Sequence, residues 1–453
     1  MTHAMSRRKF LKTTAAASAF TLLAARSSVT YAVNETVNVG IVGVGGQGGA
    51  NRNWLKKDGA NIVALCDVDR DRCEAGLKDH PGAKTYTDFR KMLETQKEID
   101  GVMVSTADHT HAVISMTAMR LGKGVCTEKP LTHSIWEARM LAEAARKYKV
   151  ATQHDNENHA ETGVRRLVEY VQAGAIGAVK EVHIWSDRPI WPQGIAQRPP
   201  TKPVPPNLDW DLWIGPAPYR DYHDNLHPFA WRGWWDFGTG ALGDMGCHFW
   251  DSAVWSLKLA EAKTYAVEAA QEGNSKETGP NWSTVTYRFP ARGDLGPVTV
   301  KWWDGRKPRQ AADGSVKYQI PNLPPRPPEL EEGRNLPSNG SMFIGEGGTI
   351  LVSDATSWRI IPEEKMKAYK GPEPTIPRSP GHKKEWLNAI KGGPPAMSNF
   401  TEWGGPLAEI VLMGNLAVRL GQRFEWDAAA MKAKNCPEAD QYVRREYRKG
   451  WEV

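Results

Sequence analysis

The chain has 453 residues, with 58 Lys and Arg against 52 Asp and Glu, 40% hydrophobic and 24% charged side chains. That length predicts two or three domains, and the composition excludes intrinsic disorder and collagen-like repeats for the bulk of the chain. No apolar run reaches the ~18–20 residues of a membrane-spanning helix. Five scattered cysteines (Cys66, Cys73, Cys126, Cys247 and Cys436) lack both zinc-ligand spacing and the even count of a full disulfide framework.

Residues 1–32 read as an address. Ser6-Arg7-Arg8-Lys9-Phe10-Leu11-Lys12 precedes an apolar stretch from Thr13 to Ala25, and Thr30-Tyr31-Ala32 puts small residues where a signal peptidase inspects them. The paired arginines resemble a twin-arginine (Tat) export signal. The apolar stretch is too short for an anchor, so the expected mature protein is periplasmic or otherwise extracytoplasmic and free of the membrane. The segment holds five basic residues and no acidic ones; without it 53 basic residues face 52 acidic. That balance gives no basic field for nucleic acid, and none is expected as a partner.

Over residues 33–155 strands and helices alternate. Val37 to Val42 is a β-branched run, Gly43-Val44-Gly45-Gly46-Gln47-Gly48 follows at once, and a helix runs to about Lys57. A second strand, Ile62 to Cys66, ends at Asp67. This is a dinucleotide fingerprint in its proper context. Gly43 permits a tight turn, Gly45 and Gly46 let backbone approach a pyrophosphate with Gln47 beside them, and Gly48 lets the helix pack on the strand. The helix N-terminus offers free N–H groups to the phosphates. Asp67 can accept hydrogen bonds from a ribose 2′-OH and would repel a 2′-phosphate, which favours NAD over NADP; Arg70 and Arg72 lie close enough to blur that preference. Further strands end at Ser105-Thr106, at Glu128-Lys129-Pro130 and near Gln153. Repeated βα units predict a parallel, doubly wound sheet, whose ligands bind beyond the carboxyl ends of the strands. Ser105, His109, Glu128 and Lys129 fall there.

The fingerprint, Asp67, Thr106-x-Asp108-His109-x-His111 and Glu128-Lys129-Pro130 together resemble the glucose–fructose oxidoreductase / inositol dehydrogenase family (Gfo/Idh/MocA), over roughly residues 36–427. The resemblance implies a Rossmann domain joined to a C-terminal α/β domain on an open, mostly antiparallel sheet. It adds Thr106, His111 and Pro130 to the cofactor side, and implies a cis Lys129–Pro130 bond that aims Lys129 at the nicotinamide. It also implies a homo-oligomer, a dimer or tetramer. One departure is Ala107, where the family usually has Pro.

Residues 156–427 are expected to carry the substrate side, with 428–453 a charged surface helix or arm. Glu161 to Ala173 reads as a helix and Val179 to Trp185 as a strand. Ten prolines between Pro189 and Pro228 predict a loop-rich insertion. A helix from Gly240 to about Leu257 places Asp244, His248 and Asp251 at i, i+4 and i+7, on one face; this matches the family's D-x-x-x-H signature. Val285 to Phe289 and Val298 to Trp303 read as strands, Met342 to Val352 as two strands about a tight turn, and Pro406 to Leu420 as a helix packed back near the first domain. Of 19 tryptophans, nine lie between Trp185 and Trp255. Trp191, Trp231, Trp234 and Trp235, in loops, are candidates to stack on sugar faces, with Asp251 beside them.

These parts suit removal of hydride from a carbinol. The O–H proton must leave as the carbonyl forms, and His248 has an intrinsic pKa suited to that exchange. Asp244 can orient the imidazole, and Lys129 can stabilise the developing alkoxide. No metal is expected, because the Rossmann half already supplies an oxidant. The leading expectation is an NAD(P)-dependent oxidoreductase acting on a sugar or polyol, with NAD retained and recycled because an exported enzyme meets no nicotinamide pool. A glycosidase or lyase working through a transient keto-sugar is the rival, and a non-catalytic NAD-binding scaffold the third reading.

Overall fold

A computed structural model describes residues 36–310, 316–434 and 436–453; the export signal expected over residues 1–32 lies outside them. Six strands, β1 (Asn38–Val42), β2 (Asn61–Cys66), β3 (Lys84–Tyr86), β4 (Gly101–Val104), β5 (Gly124–Glu128) and β6 (Thr152–Asp155), form an all-parallel sheet in the order β3-β2-β1-β4-β5-β6. The connecting helices are α1 (Gln47–Lys57), α2 (Arg70–Asp79), α3 (Phe89–Thr95), α4 (Asp108–Arg120) and α5 (Ile135–Tyr148). Val39, Ile41, Leu65, Val102, Met103 and Val125 are fully buried between the helical layers, as a sheet covered on both faces requires. The strand order reverses between β1 and β4, which opens a crevice beyond Val42 and Val104. Ser134 and Glu137 close a reciprocal capping box that starts α5.

The second sheet has the order β14-β13-β12-β7-β10-β9-β8-β15-β16. Its strands are β7 (Val179–Ser186), β8 (Thr264–Glu272), β9 (Trp282–Phe289), β10 (Val298–Gln310), β12 (Gly340–Gly345), β13 (Gly348–Ser353), β14 (Ser357–Ile361), β15 (Phe424–Asp427) and β16 (Lys432–Lys434), and β11 (Val316–Pro321) pairs with β10. Only β7 and β10 run parallel; their other neighbours are antiparallel. Helices α6 (Thr162–Gln172), α7 (Gly240–Ser256) and α9 (Gly405–Leu420) share one hydrophobic core with this sheet. Trp250 meets the Tyr287 ring edge-on at 4.6 Å, and the Tyr287 hydroxyl donates to Ile410 O at 3.1 Å. Helix α9 also reaches the first domain, where Arg139 Nε donates to Glu409 at 2.7 Å.

Three segments depart from the reading of the sequence. The helix α8 (His382–Ile390) leaves the second domain and covers the parallel sheet: Trp386 and Leu387 join the core of Val39, Ile41, Met103 and Cys126. A Cβ at Gly101 or Gly124 would lie 2.8 Å from its side chains, which explains glycine at the start of β4 and β5. The proline-rich insertion contains a short helix, Trp210–Ile214, and an aromatic core of its own that includes Trp210, Trp213, Trp234 and Phe237. The C-terminal residues form no free surface arm. After β16 and a turn of helix at Asp440–Val443 the chain crosses to the first domain. Arg445 Nε pairs with Glu137 at 3.2 Å, the Tyr447 hydroxyl donates to Glu137 at 2.6 Å, and Arg448 Nη2 pairs with Asp211 at 2.7 Å.

Candidate active site

A cavity of about 400 Å³ lies beyond the carboxyl ends of β1, β2, β4 and β5, within the size range of small-molecule and cofactor sites. Gly43, Gly45, Gly46 and Gln47 line it on one side, Asp67, Val68 and Arg72 on the next, then Ser105, Thr106, Glu128 and Lys129. The glycines are required sterically. Gly43 has φ +86°, and a Cβ there would meet Ser105 O at 2.4 Å; a Cβ at Gly48 would meet Gly43 O at 1.8 Å. Gly46 faces open space, and the first turn of α1 carries no acidic residue and no side-chain cap. The Gly48 and Gly49 amides already donate to Gly45 O and Gly46 O at 3.0 Å, which leaves the Gln47 amide, at the start of the helix, for an anion at the cavity wall. A pyrophosphate fits this cradle.

Asp67 occupies the expected place and is already engaged. Its Oδ2 accepts from Val44 N at 2.8 Å and Gly45 N at 3.4 Å, and its Oδ1 from Asp69 N at 3.0 Å. Burial pushes the carboxyl above its ordinary range, against the pull of Arg72. The residue thus shapes the glycine loop as well as facing the cavity.

Behind the cavity two expected cofactor ligands serve the scaffold instead. His111 places its ring nitrogens 2.8 Å from Pro130 O and 3.0 Å from Thr106 O, tying together the turns after β4 and β5. Neither His111 nor Pro130 is on the cavity wall; the Lys129–Pro130 peptide is cis. His109 reaches the wall, but its Nε2 bonds to Trp213 O at 2.9 Å and its ring packs on Phe237, so it joins the insertion to the first domain.

At the other end Lys129 Nζ donates to Asp244 Oδ1 at 3.1 Å and to Asp244 O at 3.2 Å. Burial works against the ammonium, but Asp244 and Glu128 outweigh it, and its pKa lies above the ordinary lysine value. For Asp244 burial is likewise outweighed by Lys129 and Arg232, which hold the carboxyl below its usual range. Arg232 Nε reaches the same oxygen, Asp244 Oδ1, at 3.4 Å. Asp244 is set by a latch between domains: Asp108, in the first turn of α4, accepts from Thr239 N at 3.1 Å and Thr239 Oγ1 at 2.8 Å, just before α7 begins. Burial, then the Asp244 charge, pushes Asp108 up to about 7. Glu128 accepts from Asn51 Nδ2 at 2.9 Å, and burial, then the Asp155 charge, raises its pKa.

His248 follows Asp244 by one turn of α7, half-buried and off the cavity wall. Contrary to expectation, no hydrogen bond joins it to Asp244. Its Nδ1 lies 3.1 Å from Asn156 Oδ1. The Asn156 amide orientation follows from its other partners: Nδ2 donates to Cys247 O at 2.9 Å and Asp251 Oδ1 at 3.2 Å, both pure acceptors. Oδ1 must therefore face His248, so Nδ1 carries the proton and Nε2 is left as the acceptor. Burial, then the Lys129 charge, pushes the imidazole down to about 3, so it is neutral at pH 7.

Asp251 does not reach the site. It is fully buried and accepts from His159 Nδ1 at 3.1 Å and Trp403 Nε1 at 2.8 Å as well as from Asn156. A helix buried on most sides has no single polar face, which is why the i+7 spacing misled. Of the four tryptophans, Trp231 lines the cavity. Trp191 is off the wall, and its Nε1 donates to Gln193 Oε1 at 2.9 Å. Trp234 and Trp235 are core residues, 0% and 5% exposed, and neither lines this cavity. Four residues at the site were not singled out from the sequence: Asn156, Asp108, Arg232 and Trp451. Asn156 follows the carboxyl end of β6, and Asp108 sits within the quoted motif, so both had a signal; Arg232 and Trp451 had none.

The fold and this crevice define a dinucleotide-binding Rossmann protein with a second, substrate-side α/β domain. Two family models match, described as "Oxidoreductase family, NAD-binding Rossmann fold" over residues 37–155 and "Oxidoreductase family, C-terminal alpha/beta domain" over residues 161–295, together more than half of the chain. The chain belongs to the Gfo/Idh/MocA oxidoreductase family, and its first domain is an NAD-binding Rossmann domain. It is 33% identical over 155 residues to an inositol 2-dehydrogenase/D-chiro-inositol 3-dehydrogenase of Lacticaseibacillus casei, covering 33% of this chain and 44% of that protein. It is 30% identical over 166 residues to a glycosyl hydrolase family 109 protein of Solibacter usitatus, covering 33% of this chain and 37% of that one. The match thus spans less than half of either relative. Among solved structures, the WlbA dehydrogenase of Bordetella pertussis, in complex with NADH and UDP-GlcNAcA, superposes with a TM-score of 0.58 at 15% identity, covering 86% of this chain and 98% of that one. At that identity the likeness shows the fold.

Proposed function

We propose that the protein is an NAD-dependent oxidoreductase of a sugar or polyol hydroxyl, exported by the Tat route, which keeps its cofactor bound and returns the hydride within each turnover. The observation that carries this reading is the Lys129 ammonium, held 3.1 Å from Asp244 on the wall of a cavity that also contains the glycine loop. NAD, when bound there, supplies the hydride acceptor. The glycine loop and the first turn of α1 hold its pyrophosphate, and Asp67 the ribose. Lys129 has three N–H donors, two of them on Asp244; the third is free to hold the substrate oxygen and stabilise negative charge on it as the C–H bond breaks. His248, neutral with Nε2 unprotonated, accepts the hydroxyl proton, and Asn156 holds the ring in that tautomer. Retention of the cofactor is supported by the cavity's walls: Leu212, Trp213, His227 and Phe229 of the insertion and Trp451 of the C-terminal strap add to the lining from outside the Rossmann domain.

The test is to denature the purified protein, identify the released nucleotide, and offer the native protein single sugars, sugar pairs and glycosides. A bound NAD that is reduced in one burst, with turnover only when a second acceptor is present, is the expected result; steady NADH release from free NAD by an apoprotein would overturn it. A second reading, redox-neutral cleavage of a glycoside, is supported by the likeness to the family 109 protein over a third of the chain. The mass of the product separates the two.

A further inference from the structure

Arg232 is held more firmly than an ion pair to Asp244 requires. It sits in a single 3-10 turn, Ala230–Gly233, and its backbone is pinned from below: a Cβ at Gly238 would lie 2.4 Å from Arg232 O. Its guanidinium lies over three rings, 4.4 Å from the Trp231 centroid, 4.5 Å from Phe229 and 5.9 Å from Trp191. Two of its nitrogens are committed, Nε to Asp244 Oδ1 at 3.4 Å and Nη1 to Phe229 O at 3.1 Å. Nη2 has no acceptor among the described residues, while Arg232 lines the cavity beside Lys129. Two cations thus share one carboxylate, Asp244. The other carboxyls at this end are engaged and raised by burial: Asp108 accepts from Thr239 and is pushed up to about 7, and Glu128, beside Lys129, accepts from Asn51 and is raised as well. The reacting end of the cavity therefore carries a positive excess and one rigid, half-satisfied guanidinium. A neutral sugar does not need that, and partly desolvated cations that outnumber their carboxylate are unfavourable.

Resting on the oxidoreductase reading above, we infer that the substrate is an anionic sugar, whose carboxylate or phosphate oxygen meets Arg232 Nη2 while the neighbouring hydroxyl meets Lys129. Arginine suits this task because its planar donors are pre-organised for an oxyanion, and the aromatic frame fixes that plane.

The experiment measures equilibrium binding to the NAD-loaded protein by calorimetry with glucose, glucuronate and glucose 6-phosphate, for the wild type and for Arg232→Gln and Arg232→Lys, with reduction of bound NAD followed in parallel. The wild type should bind one of the two anionic sugars at least tenfold more tightly than glucose, with the margin shrinking as salt is added. Whichever is preferred identifies the oxyanion. Arg232→Gln should erase the margin and Arg232→Lys restore part of it. Equal binding of all three, or a margin that survives in Arg232→Gln, overturns the inference. An Arg232-dependent margin without any reduction of bound NAD leaves the inference standing and overturns the oxidoreductase reading instead.

Discussion

Replacing Trp451 by alanine should shorten the residence time of NAD without unfolding the protein. Trp451 is 7% exposed, and its ring walls the cavity together with Asp67, Asp88 and Phe89. Its centroid is 6.2 Å from the Phe89 ring and 4.3 Å from the Arg90 guanidinium. The strap that carries it is anchored upstream, by Arg445 and Tyr447 on Glu137 and by Arg448 on Asp211 and Pro216 O, and none of these contacts uses the indole. The substitution therefore opens the wall and leaves the anchors. An aromatic face lost beside a nucleobase is worth about 1–3 kcal/mol. At about 1.4 kcal/mol per factor of ten, that is roughly a fivefold to 150-fold faster release.

The assay follows release from the NAD-loaded protein into an excess of an NAD-consuming trap, beside a thermal melt of the cofactor-free protein. A second variant ending at Tyr447 removes Arg448 to Val453 and should release NAD faster still, while Glu137 keeps both of its partners. Wild-type release rates in both variants, with the melts unchanged, would refute the claim that the strap closes the cofactor end.

Lys129→Ala and His248→Ala should each lower turnover by about 10²-fold or more, the scale for a positioned acid–base group; near-normal rates in both would remove the site assignment. Asp67→Ala should shift cofactor preference toward NADP, because a carboxylate that repels a 2′-phosphate is gone. It should also lower the melting temperature, since Val44, Gly45 and Asp69 lose their acceptor, and an unchanged melt with unchanged preference would show that Asp67 does neither job. Asp108→Asn probes pH dependence. The folded carboxyl is raised from 3.8 to about 7, so its contribution to stability is complete below pH ~4 and is lost as pH rises through about 7. Asn keeps an oxygen for Thr239 and does not titrate. Its stability relative to wild type should therefore improve between pH 4 and 7, by at most about 4 kcal/mol at 1.36 kcal/mol per pH unit. A pH-independent difference in denaturant midpoint would argue that Asp108 is ionised throughout.

Local signals carried the first domain. The β-branched and apolar strands, the glycine turn and Asp67 follow one another within about thirty residues, and each element is specified by its own residues, so Gly43, Gly48 and Lys129 lie where the pattern puts them. The second domain was less legible for a physical reason. Helix α7 is buried on nearly every side, so its spacing could not tell Asp244, which reaches the cavity, from Asp251, which binds His159 and Trp403 in the interior. The tryptophans failed in the same way: an indole in a proline-rich loop is as suited to that loop's own core as to a ligand, and Trp234 took the first course. Trp451 was out of reach altogether, because a charged C-terminal segment gives no periodic sign that it will cross to another domain.

The cavity's two ends are walled by different parts of the chain, and this separates two properties that usually travel together. The end beside Asp67 is closed by α3 and by the strap, which is anchored on the Rossmann side through Glu137. The reacting end is built from the turn after β5, from α7 and from the Arg232 turn, with the Asp108–Thr239 latch fixing α7 to α4. A half-buried pair also holds the domains in register, Arg139 with Glu409. A domain hinge that opened both ends at once would have to break this pair and the Asp108–Thr239 hydrogen bonds together. Movement of the strap alone breaks contacts at the protein's edge. Opening the cofactor end therefore requires the strap to move and leaves the reacting end as built, so substitutions in the strap should change NAD release without changing the Lys129–Asp244 pair.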